Sequence, residues 1–475
     1  MNVWFAASEA VPLAKTGGLA DVVGALPKAL AARGVDVTVV MPKYGGIPEE
    51  WVREMKDRGH FYVAMGWRRQ YCGLLETVAD GVRFLLVDNE YYFKRGYLYG
   101  YGDEAERFVF FSFAVAEALA RSDRLPDVVH CHDWQTGLVP FLLRTRYAYD
   151  PGLRNVRTVF TIHNLQYQGV FSRGLLQDLL SAGDDLLGED GIEFYGAASC
   201  MKAGLMYADK LTTVSPTYAR EIQTPEYGEK LDGVLRARAG DLVGIVNGID
   251  TESYDPMTDP YVRAPYRQSL AKKRLNKPAL QEELGLQVDA RTPLVGIVSR
   301  LVRQKGMDLI GQALPELLQE RVQIAVLGAG DPDFEGMFRD AIGRYPGRIA
   351  VWFGFNEGLA RRIYAASDLF LMPSRFEPCG LSQLISLRYR TVPIVRETGG
   401  LCDTVEAFNE YEGTGNGFSF GPATSHDLLY TVRRALAFYE DEEAWARIVA
   451  NGTKRDYGWA ASAKQYEQLY RTLAQ

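Results

Sequence analysis

No run of about 18 apolar residues occurs anywhere in the sequence, so no membrane-spanning helix is expected. The N-terminus, MNVWFAASEAVPLAK, has no basic leader, no long apolar core and no small-residue cleavage site, so no signal peptide is expected either. Cysteine is sparse: Cys72, Cys131, Cys200, Cys379 and Cys402 are odd in number and form no CxxC pair. That argues against a disulfide framework or a zinc site and fits reduced thiols in the cytoplasm. Positive charge is in deficit, with 53 Lys+Arg against 60 Asp+Glu and a net charge of −7. Non-specific nucleic-acid binding rests on phosphate neutralisation, so it is not expected here. Any anion must be held by a local cluster of cations. Low-complexity tracts and short repeats are missing, as are a Walker A loop and a complete GxGxxG fingerprint. The nearest approach, Gly328-Ala329-Gly330-Asp331-Pro332-Asp333, lacks the third glycine, which disfavours an NAD-dependent oxidoreductase.

What is present is an ordinary globular composition, 47% hydrophobic and 24% charged, over 475 residues. That length predicts two domains. Short apolar, β-rich runs alternate with helical patterns. In the first half they are Asn2–Ala7, Val35–Met41, Phe84–Val87, Val128–Cys131, Val156–Ile162, Lys210–Val214 and Leu242–Val246. The second half repeats the alternation at Leu294–Val298, Gln323–Gly328, Ile349–Phe353, Leu369–Met372, Thr391–Val395 and Gly417–Phe420. Such runs, separated by helices such as Leu19–Arg33, Phe108–Ala120, Met307–Gln319 and Gly358–Ala366, predict parallel sheets covered on both faces. The turn-rich stretch Asn247–Pro260 marks a boundary. The expectation is an α/β chain of two doubly wound, Rossmann-like domains, 1–246 and 247–457, facing each other across a cleft. A C-terminal helix within 458–475 is expected to pack back on the first domain. Open parallel sheets bind ligands at the carboxyl ends of their strands, and most polar motifs fall there.

Lys15-Thr16-Gly17-Gly18-Leu19-Ala20-Asp21 stands between the first strand and a helix. It reads either as a tight turn or as a phosphate cradle whose free N–H groups receive an anion. Arg300, Arg303 and Lys305 place three cations in one loop after a strand, either a solvated basic turn or a diphosphate grip. Glu377, in Pro373-Ser374-Arg375-Phe376-Glu377-Pro378-Cys379-Gly380-Leu381-Ser382, precedes another helix. It is either a helix cap or a carboxylate that stabilises positive charge developing on a sugar. His130-Cys131-His132-Asp133-Trp134 and Thr161-Ile162-His163-Asn164 gather three of the five histidines at strand ends. No further ligand stands at metal spacing, so a polar site is expected rather than a metal centre. The tyrosine-rich loop Asp88–Tyr101 suits either sugar rings or surface packing.

Together, KTGGLADV, HDW, HNLQYQG, NGID, SRLVRQKG, PSRFEPCGL and RETGGLCDTV resemble the bacterial glycogen/starch synthase family over almost the whole chain. These are retaining glycosyltransferases of GT-B architecture that use a nucleotide-diphosphate glucose. KTGGLADV together with SRFEPCGL is the specific pair. The resemblance implies ADP-glucose as donor, the non-reducing end of glycogen or another α-1,4-glucan as acceptor, and no metal or other cofactor. It implies that Arg300 and Lys305 grip the donor diphosphate and that Glu377 lies beside the transferred glucose. His163 matches the family histidine near the anomeric carbon. Lys15, Gly17 and Gly18, with Asp21, fall on the loop that closes on phosphates and glucose. Asp133, Asn164 and Asn247 match polar contacts to glucose or glucan, Phe355 matches the residue stacked on adenine, and Cys379, Gly380, Leu381 and Ser382 complete the donor loop.

The sequence departs from the family pattern at several positions. Gln135 stands where some members carry a histidine, and Phe355 where tyrosine is common. Ser386 and Arg390 replace an expected alanine and glycine. Ile385 occupies the position, eight residues beyond Glu377, where related enzymes carry a second glutamate. That favours the synthase family over sucrose-synthase-like relatives. The rival readings are a GT-B transferase using UDP-glucose or another acceptor, and an inactive glucan-binding protein. The retained Lys15, Arg300, Lys305 and Glu377 argue against the latter.

Overall fold

The structure is a computed structural model describing residues 1–475. The chain divides into two compact units, Met1–Asn247 with Trp459–Gln475, and Gly248–Gly458. No helix is long and apolar enough to cross a membrane.

The first unit holds twelve strands: β1 Asn2–Ala6, β2 Asp36–Pro42, β3 Lys56–Met65, β4 Arg68–Ala79, β5 Val82–Asp88, β6 Val128–His132, β7 Arg157–Ile162, β8 Val170–Ser172, β9 Glu193–Phe194, β10 Ala197–Ser199, β11 Lys210–Thr213 and β12 Leu242–Gly244. Nine make one sheet in the order β12-β11-β7-β6-β1-β2-β5-β4-β3. The seven from β12 to β5 run parallel. Every residue of β1 and β6 is buried, as a strand covered on both faces requires. The edge of the sheet holds two strands that the sequence did not announce. There β3 and β4 form an antiparallel hairpin, and β4 also pairs antiparallel with β5. In β3 exposed Tyr62 and Ala64 alternate with buried Phe61, Val63 and Met65, the period-2 pattern of a strand with one wet face. A second, three-stranded sheet orders as β8-β10-β9.

The C-terminal helix Trp459–Ala474 belongs to this unit and packs against helix Gly18–Ala31. Arg33 donates to Glu467 at 2.6 Å, and the Ser462 hydroxyl donates to the Val246 carbonyl at 2.5 Å.

The second unit is a six-stranded parallel sheet built from β13 Leu294–Val298, β14 Gln323–Gly328, β15 Ile349–Phe353, β16 Leu369–Met372, β17 Val392–Arg396 and β18 Phe418–Phe420. Its order, β15-β14-β13-β16-β17-β18, reverses direction between β13 and β16. Alternate residues supply opposite faces. Val295, Ile297, Ile324, Val326 and Leu371 enter one apolar cluster, while Leu294, Ala325, Leu327 and Phe370 enter the other. Two covered faces leave the strand ends as the place for polar chemistry, and the reversal opens a crevice at the β13/β16 ends.

Candidate active site

In the second unit the crevice is real and charged. A pocket of about 180 Å³ lies at the ends of β13 and β16, lined by Arg300, Lys305, Ser299, Ser374 and Ser382, with Met307 and Met372 on its apolar side. Arg300 and Lys305 reach it because the chain leaving β13 makes a 3-10 turn at Arg303–Lys305 and then enters helix Met307–Leu317. Gly306 joins turn to helix at φ 75°, and a Cβ there would sit 2.1 Å from the Pro373 carbonyl oxygen, so only glycine fits. Arg303 faces Asp308 at 3.7 Å and is not part of the lining.

Glu377 follows β16 and is 5% exposed. Its Oε2 accepts from Lys305 Nζ at 2.6 Å and from the Ser374 hydroxyl at 2.9 Å. It does not cap the following helix, Ser382–Arg388, which has no side-chain cap; the capping alternative is set aside. Arg300 donates to Gln304 Oε1 at 3.2 Å, and Gln304 Nε2 lies 3.4 Å from the Phe376 carbonyl, so one glutamine ties the cationic loop to the Glu377 loop. Ser374 and Gln304 were missed from the sequence; their only signal is position within two loops that both follow strands.

The rest of the donor loop surrounds this centre. Cys379 is buried; Gly380 and Leu381 are half-buried, and Ser382 opens the helix. Phe355, after β15, is 82% exposed and is not among the pocket-lining residues.

The first unit gathers its own polar centre at the switch between β1 and β6, where the strand order reverses. Helix Gly18–Ala31 begins after Gly17 with no side chain capping its N-terminus. The Lys15 ammonium pairs with Asp21 at 2.7 Å near the surface. Behind the loop sits Glu9, another residue the sequence reading passed over. It is almost fully buried, and its Oε2 accepts from the Thr16 N–H at 2.5 Å. Burial pushes its carboxyl up to about 7, against the loop N–H groups of Thr16 and Gly17, which pull it down. A lone carboxylate in the apolar stretch FAASEAVP was the available signal.

Asp133 follows β6 with φ 55° and ψ −179°, an extended positive-φ conformation rare outside glycine. That turn aims its Oδ1 at the His163 N–H, 2.7 Å away. Burial raises Asp133 to about 7 as well, opposed by the backbone N–H groups of His163 and Asn164. His163 follows β7, and burial lowers its imidazole to about 3, so it is neutral near neutral pH. His132 Nδ1 lies 2.9 Å from His163 Nε2. Asn164 Oδ1 accepts from the Gln166 N–H at 3.0 Å. Asn247 is buried with an Oδ1 that has no partner in the chain, and Gln135 has the same orphaned oxygen. A buried acceptor left unpaired is a natural place for a ligand hydroxyl. No group of three or more His, Cys, Asp or Glu side chains is placed to hold one metal ion.

The tyrosine-rich loop is largely packing. Tyr92 and Phe93 are fully buried, and the Tyr99 hydroxyl lies 2.7 Å from the Ser8 hydroxyl. Tyr91 and Tyr97 remain exposed.

The chain is similar to known proteins over its whole length. A starch synthase catalytic domain model matches residues 2–237, and a glycosyl transferases group 1 model matches residues 282–455. Over 474 residues the chain is 53% identical to a glycogen synthase of Geobacillus thermodenitrificans, covering 100% of this chain and 98% of that one. It is 52% identical to a glycogen synthase of Geobacillus stearothermophilus with the same coverage. The catalytic domain of starch synthase IV from Arabidopsis thaliana, solved bound to ADP and acarbose, superposes with a TM-score of 0.92 at 36% identity. That match covers 100% of this chain and 99% of the plant domain. The chain belongs to the glycogen/starch synthase family of GT-B glycosyltransferases.

Proposed function

We propose that the chain transfers glucose from ADP-glucose to the non-reducing end of glycogen or another α-1,4-glucan, with retention of anomeric configuration. The observation that carries this reading is the Lys305–Glu377 contact at 2.6 Å beside a pocket that Arg300 also lines. A carboxylate and two cations at one strand switch suit a reaction that develops positive charge on a sugar and negative charge on a leaving diphosphate. The plant starch synthase's bound ADP and acarbose support a nucleotide donor and a glucan-like acceptor.

In this reading the bond from glucose C1 to the diphosphate oxygen breaks. A new bond forms from C1 to the acceptor hydroxyl oxygen, and the hydroxyl proton passes to the leaving diphosphate. Departure and attack on one face give retention. Arg300 and Lys305 hold the diphosphate through charge-assisted hydrogen bonds, doing without a metal or other cofactor. Glu377 stabilises the cationic sugar, and its partner Lys305 links it to the leaving group. Phe355 stacks on adenine, and the backbone of Cys379, Gly380, Leu381 and Ser382 frames the donor. The first unit contributes Lys15, Gly17, Gly18 and Asp21 to the phosphates and glucose. His163, Asp133, Asn164 and Asn247 serve the sugar hydroxyls. The reaction is placed in the cytoplasm, without nucleic-acid or membrane partners.

The test is incorporation of labelled glucose into glycogen, with ADP-glucose and UDP-glucose compared without added metal. Strong transfer from ADP-glucose alone is the expected result. Preferential transfer from UDP-glucose would overturn the donor, and binding of glycogen with no transfer from either would overturn the reaction.

A further inference from the structure

Three histidines form one column inside the first unit. His130 and His132 stand two apart on β6, so they share a face of the sheet, and both are fully buried. Their ring centroids are 4.1 Å apart, and His163 continues the column 5.2 Å beyond His132.

The column's hydrogen bonds fix where its protons sit. A neutral imidazole carries one N–H and one bare nitrogen. Burial depresses all three well below the ordinary histidine range, so each is neutral near pH ~7. His130 Nδ1 lies 2.7 Å from the Tyr470 hydroxyl of the C-terminal helix, and His130 Nε2 lies 2.5 Å from Thr161 Oγ1. The buried Tyr470 hydroxyl has no other acceptor, so it donates to Nδ1, and His130 carries its proton on Nε2. At the other end, only His132 Nδ1 and His163 Nε2 face each other, at 2.9 Å. His132 Nε2 is sealed with no partner in the chain. A buried N–H without an acceptor is rarer and costlier than a bare acceptor. His132 therefore keeps its proton on Nδ1 and donates it to His163 Nε2. The reverse direction would strand the His132 proton on the sealed nitrogen. His163 Nε2, being an acceptor, leaves that ring's proton on Nδ1, which has no partner in the chain and is not among the sealed atoms.

We propose that His132 is a positioning residue that locks His163 in its Nδ1–H tautomer, so that His163 offers a sugar hydroxyl oxygen a hydrogen-bond donor. This rests on the reading that His163 faces the transferred glucose. In that role His163 is neither a general base nor a cation; it is a neutral donor whose direction is set from behind.

The chain has five histidines, and only these three share the column, which makes the experiment tractable. The full-length protein, labelled with 15N at histidine, is examined by long-range proton–nitrogen correlation near pH ~7. Signals are assigned by loss in single His variants. The expected spectrum has His130 protonated on Nε2 and both His132 and His163 on Nδ1. His163 protonated on Nε2 in the wild-type spectrum overturns the proposal. His132→Phe, which removes the donor, is expected to return His163 to the Nε2–H form and lower kcat about tenfold with KM for donor within about twofold. His132→Asn, which keeps a donor where Nδ1 stood, is expected to restore both readouts. An unchanged His163 tautomer in His132→Phe also overturns the proposal. An Nδ1–H His163 together with unaltered transfer in His163→Ala overturns instead the reading that His163 faces the sugar.

Discussion

Glu377 and Lys305 are the residues on which the proposed chemistry turns, and the proposal gives each a separate role. Glu377→Gln should lower glucosyl transfer by ~100-fold or more, the scale of losing one preorganised electrostatic group at a developing charge. ADP affinity should stay within about threefold, since the cations remain and Lys305 loses only its carboxylate partner. Steady-state rates and calorimetry on the same preparation read both numbers, and near-normal turnover would remove Glu377 from the reaction. Glu9 and Asp133 belong to a different ledger, that of proton binding. Burial raises both to about 7 from ordinary values of 4.5 and 3.8. Each thus holds its proton more tightly in the folded than in the unfolded chain. Their contribution to stability is complete below the unfolded values and is lost as pH rises through about 7. Between pH ~5 and ~8 the wild-type Tm should fall more steeply than that of Glu9→Gln or Asp133→Asn. Asn has the same shape as the Asp that already occupies the positive-φ backbone at position 133. Parallel melting profiles in all three proteins would contradict the assignment.

At the scale of elements, Gly399 holds the Glu377 loop in place. Helix Gly399–Thr404 presents its first turn to that loop, and the Gly400 N–H donates to the Glu377 carbonyl at 3.1 Å. Gly399 has φ 47°, and a Cβ there would stand 1.9 Å from the Glu377 carbonyl oxygen. Gly399→Ala should cost about 1–3 kcal/mol and displace the carboxylate, so transfer falls with stability. Gly421→Ala, whose Cβ would meet only Glu397 Oε2 at 3.8 Å, is the control expected to change neither. Urea denaturation and transfer rates check the pair. Elements also differ in how plainly the sequence announces them. Every apolar, β-rich run singled out from the sequence overlaps a strand, because a strand covered on both faces is apolar along most of its length. The β3–β4 hairpin escaped, since one wet face interrupts its apolar residues with Lys56, Arg58, Arg69 and Tyr71. The strands β8 to β10 were too short to register. Of the candidate site, loops after strands could be found from glycines and charges. Gln304 could not, because its contact is with a carbonyl 72 residues away; Glu9 and Ser374 make local contacts, and what marks them is a burial that spacing does not reveal. The Arg390 position is informative in the opposite sense. A glycine was expected there, and the backbone is left-handed at φ 58° although an arginine occupies it.

For the whole molecule, the C-terminal helix is the part whose membership matters most. Trp459–Ala474 is the last segment of the chain, yet it completes the first unit through Glu467, Ser462 and Tyr470. Ending the chain at Gly458 should speed amide exchange in β1, β6 and helix Gly18–Ala31 while leaving β13 to β18 protected. Exchange read by mass spectrometry distinguishes this from uniform loosening, which would contradict it. The account's central claim lies in the other unit, where Arg300 and Lys305 are read as the grip on a donor diphosphate. The measurement that tests it most directly is calorimetric titration of ADP into the wild-type chain, Arg300→Ala and Lys305→Ala. Each substitution removes a charge-assisted contact and should weaken ADP about 10- to 100-fold. Unchanged ADP affinity in both variants would contradict the claim.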